Sequence, residues 1–79
     1  MAQTIQTETI QWRSDRSPIT SAEVWYPVVE TGSMPRFRVE RLDESQAPYK
    51  WKARDLFQDL EVRYAVFEDA LEWCAWQTV

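Results

Sequence analysis

The fold is decided by the stretch RFRVERLDESQAPYKWKAR, which runs from residue 36 to residue 54. Within its first seven residues, charged and apolar side chains alternate from Arg36 to Glu40, with Phe37 and Val39 on one face of an extended chain. Its last six residues alternate in the same way around Trp51. Such alternation is typical of strands that are buried on one side only. The polar residues 43–47 between the two runs predict the loop of an antiparallel hairpin.

The two apolar faces of this hairpin should coincide, and that condition predicts its register. Val39 is then expected beside Trp51, and Phe37 beside Ala53. The basic side chains of the hairpin would share the opposite, solvent-facing side, and we treat them as a candidate basic face: Arg36, Arg38, Lys50, Lys52 and Arg54.

The residues before the hairpin predict a less regular part of the sheet. Residues 1–19 mix Thr, Gln and Ile and are expected to form an edge strand or a mobile arm, with a polar loop over residues 13–18. Residues 20–30 are rich in Val, Trp and Tyr and predict a strand. Three of its side chains are expected to face the core: Val24, Tyr26 and Val28.

The residues after the hairpin fit two structures. Apolar residues recur at helical spacing, and Asp55 with Gln58 resembles a helix capping box. However, residues 60–66 also alternate between apolar and other side chains, as a strand does. The alternatives are one long helix, or a strand followed by a short helix. Both make the residues from Phe67 onward helical.

Together these patterns predict one α+β domain spanning residues 1–79. It should contain a small, meander-like antiparallel sheet of three to five strands, with one C-terminal helix packed on one face. We expect a core built from eight residues: Val24, Tyr26, Val28, Phe37, Val39, Trp51, Phe67 and Leu71.

The composition argues against catalysis. The 79 residues include five Trp, three Tyr and three Phe, but no His, one Gly and one Cys. Histidine is the commonest general acid or base, and a phosphate-binding loop needs several glycines. We therefore expect no enzyme, no catalytic residue, no cofactor and no metal site. A single cysteine and an N-terminus without a basic or apolar run favour a cytoplasmic protein.

The charges are segregated along the chain, and this distribution bears on partners. Residues 36–54 contain six basic and three acidic side chains, whereas residues 55–79 contain one basic and six acidic ones. If residues 59–76 were helical throughout, a second apolar strip with an acidic ridge would lie on the helix. Its residues are the predicted partner-binding set: Val62, Val66, Glu68, Glu72, Trp73 and Trp76.

The leading functional prediction is thus a non-enzymatic protein-binding module, a small acidic regulator, inhibitor or accessory subunit. Its partner should present a basic or apolar surface, since tryptophan is enriched at the energetic centres of interfaces. One special form is an acidic inhibitor, encoded by a mobile element, that blocks a nucleic-acid-binding groove. The main alternative is a nucleic-acid-binding module that uses the basic face. No membrane partner is expected, and the sequence is compatible with a homo-oligomer.

Overall fold

Six strands follow one another in a single antiparallel sheet, and one helix packs across it. The computed structural model describes residues 4–7, 10–16 and 23–77. In the sheet, each strand lies beside the strands that precede and follow it in the chain. The elements are β1 (Thr4–Gln6), β2 (Gln11–Arg16), β3 (Glu23–Pro27), β4 (Phe37–Arg41), β5 (Trp51–Asp55), β6 (Leu60–Tyr64) and α1 (Phe67–Gln77).

This architecture confirms the predicted α+β meander with a C-terminal helix on one face. The described strands number six, one more than the upper end of the predicted range. The additional strand arises at the N-terminus, where the region predicted as one strand or an arm contains both β1 and β2. Residues 17–22, including the start of the strand predicted from residue 20, lie outside the described part.

The polar residues 13–16 form most of β2, and the loop predicted there is wrong over those positions. Their backbone pairs with β3, with Arg13 opposite Tyr26 and Ser14 opposite Trp25. Trp12 and Ser14 face the helix side and are buried, whereas Arg13 is exposed on the other side. A strand between two others can carry polar residues because the sheet satisfies its backbone hydrogen bonds.

In β3 the predicted core face was also wrong. Trp25 points toward the helix, and its ring lies 5.3 Å from that of Phe67. Val24 is buried on the opposite face of the sheet, Tyr26 is partly exposed there, and Val28 lies beyond the strand with 50% of its surface exposed. The indole is larger than either neighbour, so placing it in the core removes more apolar surface from water.

The central hairpin forms as predicted, but its register differs by two residues. Val39 lies opposite Ala53, and Phe37 opposite Asp55. The loop between the two strands is longer than expected. The last pair before this loop joins Leu42 to Lys50, since the backbone N–H of Leu42 donates to the carbonyl of Lys50 at 2.8 Å. A shift of two keeps every side chain on its predicted face, whereas a shift of one would have inverted the sheet.

Of the two alternatives for the C-terminal part, the strand followed by a short helix is observed. Strand β6 pairs with β5, with Val62 opposite Ala53 and Tyr64 opposite Trp51. The predicted cap at Asp55 is used differently: its carboxylate accepts the backbone N–H groups of Phe57 and Gln58 in the turn between β5 and β6.

The core lies between the sheet and α1. Its buried residues are Trp12, Trp25, Phe37, Val39, Ala53, Ala70, Leu71 and Cys74. Trp51 and Phe67 pack against this cluster with ring centroids 4.4 Å apart. Of the eight predicted core residues, three lie outside this cluster: Val24 is buried on the opposite face of the sheet, and Tyr26 and Val28 are partly or largely exposed. No helix in the described residues is long and apolar enough to cross a bilayer.

Candidate partner-binding site

The predicted partner-binding residues are divided between two parts of the fold. Val62 lies in β6 and packs against the core. Val66 precedes α1 and is exposed, while Glu68 and Glu72 are exposed on the helix. A single apolar strip from residue 62 to residue 76 therefore does not form, because the chain changes from strand to helix within it.

A groove of about 340 Å³ lies between the C-terminal half of α1 and the end of β6. It brings two predicted tryptophans and one predicted acid together with residues that the sequence did not single out. Trp76 is 70% exposed at this groove, whereas Trp73 is partly buried against the core. The groove is lined by Tyr64, Asp69, Glu72, Trp73, Trp76 and Gln77.

Helical spacing explains why four of these side chains share one side of α1. Asp69, Glu72, Trp73 and Trp76 stand at positions i, i+3, i+4 and i+7. This spacing could have identified Asp69 from the sequence. Tyr64 could not have been found in this way, because its position depends on β6 being a strand.

The carboxylates of the helix are not neutralised within the described part of the chain. No ion pair there includes Glu68, Asp69 or Glu72, and α1 contains no basic residue. Burial, followed by the negative charges of nearby groups that include Asp69 and Glu72, raises the pKa of Tyr64. The phenol is thus held in its protonated form, and the groove combines aromatic surface with negative potential.

The predicted basic face is different in both geometry and charge. Arg36 does not belong to it, because its guanidinium turns toward Asp55 and the end of α1. Lys50 precedes β5 and is exposed. The remaining three basic residues lie on the outer face of the sheet: Arg38, Lys52 and Arg54.

These three cations are paired with acids on the same face. Glu40 contacts Lys52 at 2.7 Å and Arg38 at 3.2 Å. Glu61 lies 3.8 Å from Lys52 and 3.9 Å from Arg54. Charges that are compensated by their neighbours attract a polyanion weakly, so this surface differs sharply from the acidic groove.

Cys74 and Asp55 are both buried without exposed surface. Burial, with a smaller contribution from the negative charge of Asp55, raises the pKa of Cys74 to about 12. A thiol in this state is a poor nucleophile at neutral pH. In the described part of the chain, no group of three or more His, Cys, Asp or Glu side chains is placed to hold a metal ion.

No protein-family model, no curated protein and no solved structure matches this chain.

Proposed function

We propose that this protein is a non-catalytic binding module that docks on a basic surface of a protein partner through the groove beside α1. It would act as a small regulator, inhibitor or accessory subunit, and we expect it to work in the cytoplasm. The observation that supports this most is a contrast between two surfaces. Among the described residues, no cation pairs with the carboxylates of the groove beside the exposed Trp76, whereas the acids and bases of the outer sheet face pair with one another.

The chemistry of the groove favours a cationic side chain from the partner. Aromatic faces attract guanidinium and ammonium groups, and a nearby carboxylate adds charge and hydrogen-bond acceptors. The groove is at the small end of the range for ligand pockets, which suits one inserted Arg or Lys side chain. Trp76 would supply the buried aromatic anchor that dominates many interfaces.

Affinity capture from the organism that encodes the protein tests this proposal. Trp76→Ala, and separately the combined Glu68→Gln, Asp69→Asn and Glu72→Gln variant, should lose the captured partner. Tyr49→Ala is the matched control, since Tyr49 is an exposed aromatic residue in the β4–β5 connection that does not line the groove. With the purified partner, binding should weaken as salt rises, because exposed charges are screened.

The same experiment separates the alternatives. Displacement of the captured partner by an oligonucleotide would favour the acidic inhibitor of a nucleic-acid-binding groove. The nucleic-acid-binding module requires direct, salt-dependent oligonucleotide binding that Lys50→Glu with Lys52→Glu abolishes. A partner that is retained by both the Trp76 variant and the neutralised variant would contradict the groove proposal.

A further inference from the structure

Strand β6 is an open edge of the sheet. Among the described strands it pairs only with β5, so the backbone groups on its other side face no strand. The opposite edge strand, β1, has three residues, whereas β6 has five. An unpaired edge is a template for another strand, and proteins usually block it with charge, proline or a bulge.

The sequence of β6 is self-complementary in an antiparallel sense. It reads Leu-Glu-Val-Arg-Tyr, with the aliphatic Val62 at its centre. When a second copy is placed across a twofold axis at Val62, Glu61 of each chain falls opposite Arg63 of the other. Leu60 then falls opposite Tyr64 on the helix side of the sheet. The twofold axis therefore gives two identical cross-strand pairs, each between Glu61 of one copy and Arg63 of the other. Charges of the same sign would repel at these positions, whereas these charges attract.

From this pattern we propose that two copies of the chain associate through their β6 edges and form one continuous antiparallel sheet. We identify the partner as a second copy because an antiparallel β6 strand of the same sequence places an opposite charge across from each charge of this strand. The inference does not rest on the proposed function, because it is argued from the sequence and the open edge of β6, although Tyr64 belongs both to this edge and to the groove.

The surroundings of the two charges support this pairing. Their side chains remain substantially accessible, 41% for Glu61 and 46% for Arg63. In the single chain, Arg63 lies opposite Lys52 on β5, which is a like-charge pair, and it contacts Glu61 of its own strand at 3.5 Å. Glu61 of a second copy would add a further carboxylate on the side of Arg63 that faces away from β5.

Exposed apolar side chains are also concentrated around this edge. Leu56, Phe57 and Leu60 precede or begin β6, and Val66 follows it, all with much of their surface in water. In the antiparallel pair, the turn between β5 and β6 of one copy extends past Tyr64 of the other toward its Val66. The pairing thus brings together apolar groups that the single chain leaves exposed.

Analytical ultracentrifugation between about 1 µM and about 1 mM tests the pairing, a range that suits a short interface. The wild-type protein should dimerise in this range. Arg63→Glu and Glu61→Arg should each weaken the dimer about tenfold or more, because both cross-strand pairs become like-charged. An equimolar mixture of the two variants should form a heterodimer, since each acid again meets a base. Arg63→Lys, which keeps the charge, should dimerise like the wild type.

Folding of each variant is checked by circular dichroism and thermal unfolding at low concentration. Arg63→Glu should still fold, because the introduced carboxylate would face Lys52, which offsets the lost contact between Arg63 and Glu61. If Glu61→Arg does not fold, the comparison of Arg63→Glu with Arg63→Lys decides the question alone. A wild-type protein that stays monomeric throughout the range, or an Arg63→Glu variant that dimerises as tightly as the wild type, would overturn the proposal.

Discussion

Arg36 holds the buried carboxylate of Asp55 with its guanidinium, at 3.0 Å between Nη2 and Oδ2. The same Nη2 atom donates to the carbonyl oxygen of Gln77 at 3.1 Å. The sheet and the C-terminal end of α1 are therefore connected through one side chain. Asp55 has no exposed surface and also accepts the backbone N–H groups of the following turn. This network positions the helix that carries the candidate groove.

Asp55→Asn should reduce the free energy of unfolding by about 3 kcal/mol. The variant loses a charge-assisted contact and leaves the guanidinium of Arg36 without its counter-ion at a partly buried position. Urea unfolding followed by fluorescence measures the change. The matched control is Asp59→Asn: Asp59 is 94% exposed, and its contact with Arg54 is long, at 3.7 Å. Its φ of 56° also suits asparagine. A change within about 0.5 kcal/mol is expected there, and similar losses at both positions would contradict the assigned role of Asp55.

The contribution of Asp55 should disappear in acid. Burial acts to raise its pKa, but the hydrogen bonds from Arg36 and the backbone, with the charge of Arg36, together lower it below the ordinary value. The unfolded chain, with a pKa of about 3.9, therefore binds the proton first as the pH falls. The stabilisation that Asp55 contributes is fully present above about pH 5 and is lost as the pH falls through the pKa of Asp55 in the native protein. The difference in unfolding free energy between the wild type and Asp55→Asn should narrow below about pH 4. A difference that is equal at pH 7 and pH 3 would be inconsistent with this linkage.

Cys74 should react with thiol reagents only when the protein opens. It has no exposed surface, and its pKa is raised to about 12. At pH 8 we expect the native thiol to react about 100-fold more slowly than the thiol in denaturant. The reaction with a chromogenic disulfide, followed by absorbance, measures this ratio. Rapid native reaction would imply an accessible thiolate and would revive the catalytic role that the composition argues against.

Two valine variants test which residues form the core. Val39 is fully buried in the cluster between sheet and helix, while Val28 was predicted to be buried and is half exposed. Val39→Ala should cost about 2 kcal/mol of unfolding free energy, and Val28→Ala less than about 0.5 kcal/mol. Both substitutions remove the same atoms, so the difference between the two urea midpoints reports burial alone. Equal losses of unfolding free energy would indicate that Val28 is buried as deeply as Val39. In that case the face of β3 that carries Val24 and Tyr26 would be the one packed against the helix.

The sequence predicts the central hairpin well because each of its strands has one clearly apolar face. Phe37 and Val39 leave no ambiguity about which side is buried. In β3, by contrast, Val24, Trp25 and Tyr26 are consecutive large side chains, and alternation cannot choose between the two phases. The contact between Trp25 and Phe67 decides it, and that contact exists only after α1 has packed on the sheet.

The candidate site could be predicted only where spacing along one helix determines which side chains lie together. Glu72, Trp73 and Trp76 lie in a segment that is helical under both alternatives, so their grouping was available from spacing. Tyr64 joins them only because residues 60–64 form a strand. Arg36 was assigned to the basic face by extending the alternation back from Phe37, but it precedes β4. Outside the regular strand, its long side chain can turn to the helix side and reach Asp55.

The two tryptophans at the groove should differ in their effect on stability, and this difference allows the binding test to be interpreted. Trp76 is mostly exposed, so Trp76→Ala should change the unfolding free energy by less than about 0.5 kcal/mol. Trp73 packs against the core, so Trp73→Ala should cost about 2 kcal/mol, which lowers the melting temperature by about 10 °C in a domain of this size. Thermal unfolding by circular dichroism measures both. If Trp76→Ala were as destabilising as Trp73→Ala, the indole of Trp76 would be part of the core, and loss of partner capture by that variant would report unfolding instead of a lost contact.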